Sequence, residues 1–320
     1  MPDLTKTPAT DEAHAVAIAD ADAKAVDAVE ATGKPRSLWG DAWRDLRRRP
    51  LFIVSSLLIL VVLLVAAFPG MFTSADPQTG DLTNHFLEKP NLGHLFQPDW
   101  FGYDRQGRSI YARVVYGARN SIMVGFGVTI LVTVFGGLVG MLAGYFGGFI
   151  DSLLSRLTDV FFGIPFLLGA MVVLNAFTER NVWVITGALA FLGWTQIARV
   201  MRGAVITTRH ADYVMAAKAL GAGTKRILFR HILPNAIAPV IVIATIALGT
   251  YIVAESTLSF LGLGFGGNAI SWGGDISDAL ADIRNNPHTL FFPAGMLSIT
   301  VLAFIMMGDA VREALDPKLR

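Results

Sequence analysis

Apolar positions along this chain come in long blocks, not at the spacing of a buried helix face or a half-buried strand. Residues 51–68 run for 18 positions without a charge. At ~1.5 Å of rise per residue, such a run just crosses ~30 Å of hydrocarbon. Further blocks follow at 121–146, 159–177, 182–198, 236–262 and 289–307. The pattern predicts an all-α integral membrane protein with six transmembrane helices. Only 178–181 separates the third block from the fourth, so those two form a tight hairpin.

Composition agrees. The 320 residues are 53% hydrophobic and 16% charged, with a mean hydropathy of +0.53; soluble domains are charged at about one position in four. A net charge of +1 without a long lysine/arginine run gives no reason to expect nucleic acid. With zero cysteines the chain has no disulfide, thiolate metal site or thiol catalysis.

Charge placement sets the expected topology. With the N-terminus inside, segments 34–50, 147–157, 198–235 and 308–320 hold 17 lysines and arginines, against 7 in 69–120, 178–181 and 263–288. The positive-inside rule then places both termini in the cytoplasm. Residues 69–120 become an extracytoplasmic loop, and 121–310 a core domain that contains the cytoplasmic loop 198–235. Residues 311–320 form a cytoplasmic tail. Residues 1–33 carry seven acidic and two basic residues and no aromatic, the composition of a disordered tail. Residues 34–50 turn basic. Trp39 and Trp43 are four apart and share a helix face, which suits a helix lying on the membrane surface or a plain juxtamembrane anchor. The tail before the first apolar run is too long for a cleaved signal peptide.

Several residues stand out within the blocks. Gly136, Gly140, Gly144 and Gly148 repeat every four positions, so one helix face lacks side chains and lets another backbone approach, within the subunit or on a partner. Pro165 should kink the third helix unless neighbours compensate. Glu255 is an acid well inside the fifth block, followed by Ser256, Thr257 and Ser259. Either it lines a translocation pathway with Ser256 and Ser259, or it is a buried carboxylate paired to a hydroxyl or backbone group of a neighbouring helix.

Between the fourth and fifth blocks lies "DYVMAAKALGAGTKRILFRHILPN", 212–235. Tyr213, Ala216, Ala217 and Leu220 follow one helical face. Gly221 and Gly223 permit a sharp turn, and 224–232 reads as a second short helix that Pro234 closes. Lys218, Lys225, Arg226 and Arg230 surround this surface with positive charge. A basic loop at the headgroups would explain the charge but not the Ala-Ala/Gly spacing.

Ala216–Ala217, Gly221 four residues on, and Leu233–Pro234 resemble the coupling-loop motif of permease subunits from binding-protein-dependent ABC importers. The stretch is most similar to the dipeptide and oligopeptide branch, C-subunit type. "FGYDRQGRSIYARVVYGARNSI" (101–122), "LSFLGLGFGGNAISWGG" (258–274) and "MGDAVREALDPKLR" (307–320) carry the resemblance over most of the chain. It implies a type I importer permease fold, pairing with a second homologous permease, two ATPase domains and an extracytoplasmic substrate-binding protein. It implies a peptide as substrate and ATP and Mg bound by the ATPase subunits, with no cofactor in this chain. It also implies that Asp212, Tyr213, Met215, Ala216, Ala217, Leu220, Gly221, Arg226, Leu233 and Pro234 form the coupling surface. Two positions depart from the motif: Met215 replaces its usual glutamate, and His231 its isoleucine. Relatives that handle nickel chelates or glutathione keep the substrate open.

Enzymatic readings find little. The chain has no G-x-x-x-x-G-K-[ST] phosphate loop, no H-x-x-x-H pair for a metal and no serine, histidine and acid set of a hydrolase. The alternatives are an ion-coupled secondary transporter built on Glu255 and a non-transporting membrane scaffold.

Overall fold

The computed structural model describes residues 38–315. The expectations for the 1–33 tail, the Trp39 side chain and residues 316–320 fall outside what it describes. Helix α1 (Leu38–Leu46) occupies the basic segment, and its Trp43 is half exposed.

The body is helical; among the described residues the nearest thing to a sheet is one antiparallel bridge, Tyr103 to Ser109. Helix α2 (Pro50–Ala67) starts on a proline, which suits a position whose N–H needs no partner. Helix α3 (Ile110–Phe146) follows a long polar excursion. Helices α4 (Gly148–Phe162) and α5 (Phe166–Asn175) come next, then α6 (Val182–Arg209) and the short α7 (Asp212–Ala219). Helix α8 spans Thr224–Leu263, and α9 (Trp272–Ala279) precedes the last span, α10 (His288–Leu315). Five of these are long and apolar enough to cross a membrane, or six if α4 and α5 count as one broken span.

Three departures from the sequence reading have physical causes. The third block is not one kinked helix: α4 and α5 meet at 82° across Gly163–Pro165. Pro165 has no N–H and biases the residue before it away from helical geometry. It is itself extended (φ −57°, ψ 116°), so the helix stops and restarts. Helix α3 begins at Ile110, inside the segment expected as loop, because Arg113 and Arg119 interrupt the apolar run without interrupting the helix. Ser109 caps that start by accepting the Ala112 N–H at 3.2 Å. Residues 224–232 are not a separate helix closed by Pro234 but the first turns of α8. Widened π-type turns over Ile227–Ile232 carry the helix past the missing Pro234 N–H, and the Asn235 amide donates to the His231 carbonyl at 2.8 Å.

The tightest packing joins α3 to α6. Side chains on Gly136, Gly140 and Gly144 would run into the backbone carbonyls of Trp194, Ala198 and Arg202, themselves spaced by four along α6. Three bare positions thus face three successive turns, the close approach that small residues allow between membrane helices. Gly148 departs from this ladder. It follows the end of α3 with φ +53° and open space around its α-carbon, because Gly147 and Gly148 turn the chain into α4. Around the α3–α6 seam, Val124, Val128, Ile185, Leu189, Ile197 and Val205 form a buried core with Val240 and Leu258 of α8. A second cluster joins α2, α3, α8 and α10 around Trp272. On α2, Ile53, Val54, Leu57, Leu60 and Leu64 remain exposed, a face suited to lipid and costly in water.

Candidate functional site

Helix α7 hangs between the end of α6 and the start of α8. Val214, with no exposed surface, anchors it to the core, flanked by the half-buried Ala211, Ala217 and Ala222. The opposite arc is open: Tyr213 and Met215 are half exposed, Ala216 is exposed, and Leu220 is 89% exposed. Of the four residues expected on one face, the structure therefore exposes Tyr213, Ala216 and Leu220 and draws Ala217 to the border.

The end of α7 explains its glycine. The Ala222 N–H bonds the Ala217 carbonyl at 3.0 Å and the Gly221 N–H bonds Lys218 at 2.9 Å, a Schellman pair that closes the helix. This requires a left-handed residue between them, and Gly221 has φ +79°. Gly223 lies at φ −70°, open to any residue, so the turn belongs to Gly221 alone. Asp212 in the first turn and Lys218 in the last suit the helix dipole.

The frame behind α7 is ionic. Arg209, at the end of α6, donates to the Gly144 and Tyr145 carbonyls at 2.9 and 3.2 Å, filling acceptors left open at the end of α3. Arg202 grips Asp151 of α4 with two bonds of 2.5 and 2.7 Å. The Lys218 ammonium lies 5.7 Å from the Tyr145 ring centre. These contacts tie the end of α6, from which α7 hangs, to α3 and α4. Lys218, Lys225, Arg226 and Arg230 are all exposed around it; Leu233 is half-buried and Pro234 exposed.

Glu255 lies elsewhere and has a different environment. It has no exposed surface. Ser259 donates to one carboxylate oxygen at 2.8 Å; Ser121 of α3 and Ser256 donate to the other at 3.0 and 3.3 Å. Ser256 and Ser259 are themselves buried. Of the two readings, the structure gives the sequestered carboxylate. Glu255, Ser256 and Ser259 are thus all buried in this structure, with hydroxyls on both carboxylate oxygens.

An ionic cluster at the opposite end of the body was not anticipated. Arg113, 8% exposed at the start of α3, donates its Nε to Asp275 of α9 at 2.8 Å, and its Nη2 binds the same oxygen. Arg105 reaches Asp282 at 2.5 Å, and Arg108 reaches Asp104 at 2.6 Å and Asp278 at 3.4 Å. Burial pushes the Asp275 carboxyl up to about 6, against the pull of Arg113 and Arg108. Beside it the fully buried Trp272 donates its indole N–H to the Val114 carbonyl at 2.9 Å. A charge at the edge of an apolar block is the sequence signal for such a pair, but its partner lies far along the chain.

These features define a polytopic membrane protein with a short helix that exposes apolar side chains beside an ionic frame. The chain belongs to the binding-protein-dependent transport system inner membrane component family, whose model matches residues 136–320. A model of the N-terminal transmembrane domain of oligopeptide transport permease C matches residues 37–91. The oligopeptide transport system permease protein OppC of Bacillus subtilis is 38% identical over 93% of this chain and 95% of its own length. The dipeptide transport system permease protein DppC of Alkalihalophilus pseudofirmus is 38% identical over 89% and 91%. A glutathione transport system permease protein, GsiD of Pectobacterium atrosepticum, is 32% identical over 89% and 93%. The chain is thus a permease of the ABC importer class in the bacterial cell membrane, and these relatives are transport subunits, not enzymes or ion-coupled carriers.

Proposed function

We propose that this permease takes up di- or oligopeptides by alternating access, with α7 as the docking surface for separate ATPase subunits that bind ATP and Mg. A second homologous permease completes the membrane domain, and an extracytoplasmic binding protein delivers the peptide. Both termini and α7 lie in the cytoplasm, following the excess of lysine and arginine on that side. ATP closes the motor; α7 carries that closure through the Arg209 and Arg202 contacts into α3, α4 and α6, and the cavity opens outward. Nucleotide drives this only by binding the two states unequally.

The observation that carries the reading is the open arc of α7: Tyr213, Met215 and Leu220 expose apolar surface next to cations, on a helix that is not a span. Exposed apolar surface rimmed by polar groups marks a protein contact. The peptide substrate rests on the resemblance to OppC and DppC. The test is Leu220→Asp in a complex reconstituted with all its subunits. Uptake of a labelled peptide should be lost and ATPase subunits should dissociate during purification. Uptake at the wild-type rate would overturn the docking role.

A further inference from the structure

Non-helical backbone within the hydrocarbon is tolerated only where protein covers it or it lines a water-filled cavity. The break between α4 and α5 meets neither condition inside this subunit. Phe162, Gly163, Ile164 and Pro165 are all exposed, and among the described residues nothing donates to the carbonyls of Gly163 and Ile164. The break sits across from 192–196 of α6 and beside 243–251 of α8, the middle of the apolar block 236–262, and so deep in the membrane.

A groove of about 380 Å³ opens there between the break, α6 and α8. Phe161, Phe162, Phe166 and Ile243 contribute apolar wall, and no charged side chain lines it. Two of its polar side chains are open to it. Gln196 is exposed and makes no hydrogen bond among the described residues; Thr250, central in the apolar block of α8, is exposed with a weak 3.5 Å bond to the Ile246 carbonyl. A primary amide facing lipid at this depth would be left unsatisfied, whereas polar side chains inside membrane spans face a bundle interior or a water path.

We propose that this groove is the subunit's half of the solute pathway, closed on its far side by the second permease, and that Gln196 and Thr250 contact the main chain of the permeating peptide. The chemistry fits a peptide of variable sequence. An amide, a hydroxyl and free carbonyls match main-chain N–H and C=O groups, and the walls are aromatic and aliphatic side chains, with the Arg199–Asp159 pair behind Phe162. The assignment rests on the importer reading above, and it moves the pathway from the sealed Glu255 cluster to the face on which the broken helix opens.

The chain contains no cysteine, so a Gln196→Cys variant carries its single thiol in the groove. In the assembled complex, a charged, water-soluble methanethiosulfonate should modify that thiol with or without ATP and vanadate, and trialanine should slow the reaction. Val134→Cys, on an exposed face of α3, should stay unmodified as the lipid-facing control. A Gln196→Cys thiol unreactive in both nucleotide states overturns the pathway. Separately, Gln196→Leu should lower trialanine uptake about tenfold, the scale of one lost hydrogen bond, with ATPase subunits retained; unchanged uptake overturns the peptide contact. A reactive, water-accessible thiol in a wild-type-like complex that moves no trialanine overturns the peptide reading and leaves the pathway standing.

Discussion

Helices α7 and α9 are both eight residues long and neither crosses the membrane, yet they are built in opposite ways. Helix α9 is sunk into the body. Trp272 is fully buried, Gly273 has Ser256 backbone against its α-carbon, and Asp275 is paired with Arg113. Helix α7 keeps one buried side chain, Val214, and turns most of its apolar surface outward. The first helix is packed within this chain; the second leaves Tyr213, Met215 and Leu220 uncovered. That difference in burial, more than the composition of either segment, is what the docking proposal for α7 rests on.

The comparison can be broken from the α9 side with the largest effect. Arg113→Ala strands the Asp275 carboxylate in a buried site, and losing one partner of a buried pair costs about 3–5 kcal/mol. The purified permease should melt at a distinctly lower temperature by tryptophan fluorescence, and a wild-type melting temperature would mean that the pair is solvated. Between the two ends, Gly140→Leu forces a side chain into the Ala198 carbonyl. Overpacking of this kind costs about 1–3 kcal/mol, so the variant should lose heat resistance although α7 is untouched. On the α7 side, Gly221→Val puts a branched residue at φ +79°, a strain of about 1–2 kcal/mol. Hydrogen exchange should quicken in α7 while α9 stays protected. Smallest of all, Leu220→Asp should change the melting temperature negligibly, since surface substitutions usually stay within about ±0.5 kcal/mol, even as it abolishes uptake. An α7 variant that unfolds the permease, or an α9 variant that only uncouples it, would reverse the assignment.

Much of α7 was legible from residue spacing. The Ala-Ala pair, Gly221 and the ring of cations are local features, and a left-handed glycine at a helix end is a rule of short range. The α3 glycine ladder was equally readable up to Gly144; Gly148 misled because its spacing continues where the helix does not. Longer-range facts were hidden. The depth to which α3 starts depends on Arg113 finding Asp275, 162 positions away. Glu255 drew attention as the one charge in its apolar block, but burial with Ser121, Ser256 and Ser259 can be seen only once α3 and α8 are packed. Gln196 carries no charge and so raised no alarm, although its exposure on the groove is the more informative polar feature. Pro165 announced a kink, while the 82° turn that makes the groove needed coordinates.

The most direct test of the docking claim uses Leu220→Cys in this otherwise cysteine-free chain, tagged with benzophenone maleimide inside the assembled, transport-competent complex. On irradiation, the permease should become joined to an ATPase subunit, identified by mass. Crosslinking to lipid alone, in a complex whose ATPase subunits are present and hydrolysing ATP, would contradict the account and return α7 to the membrane surface.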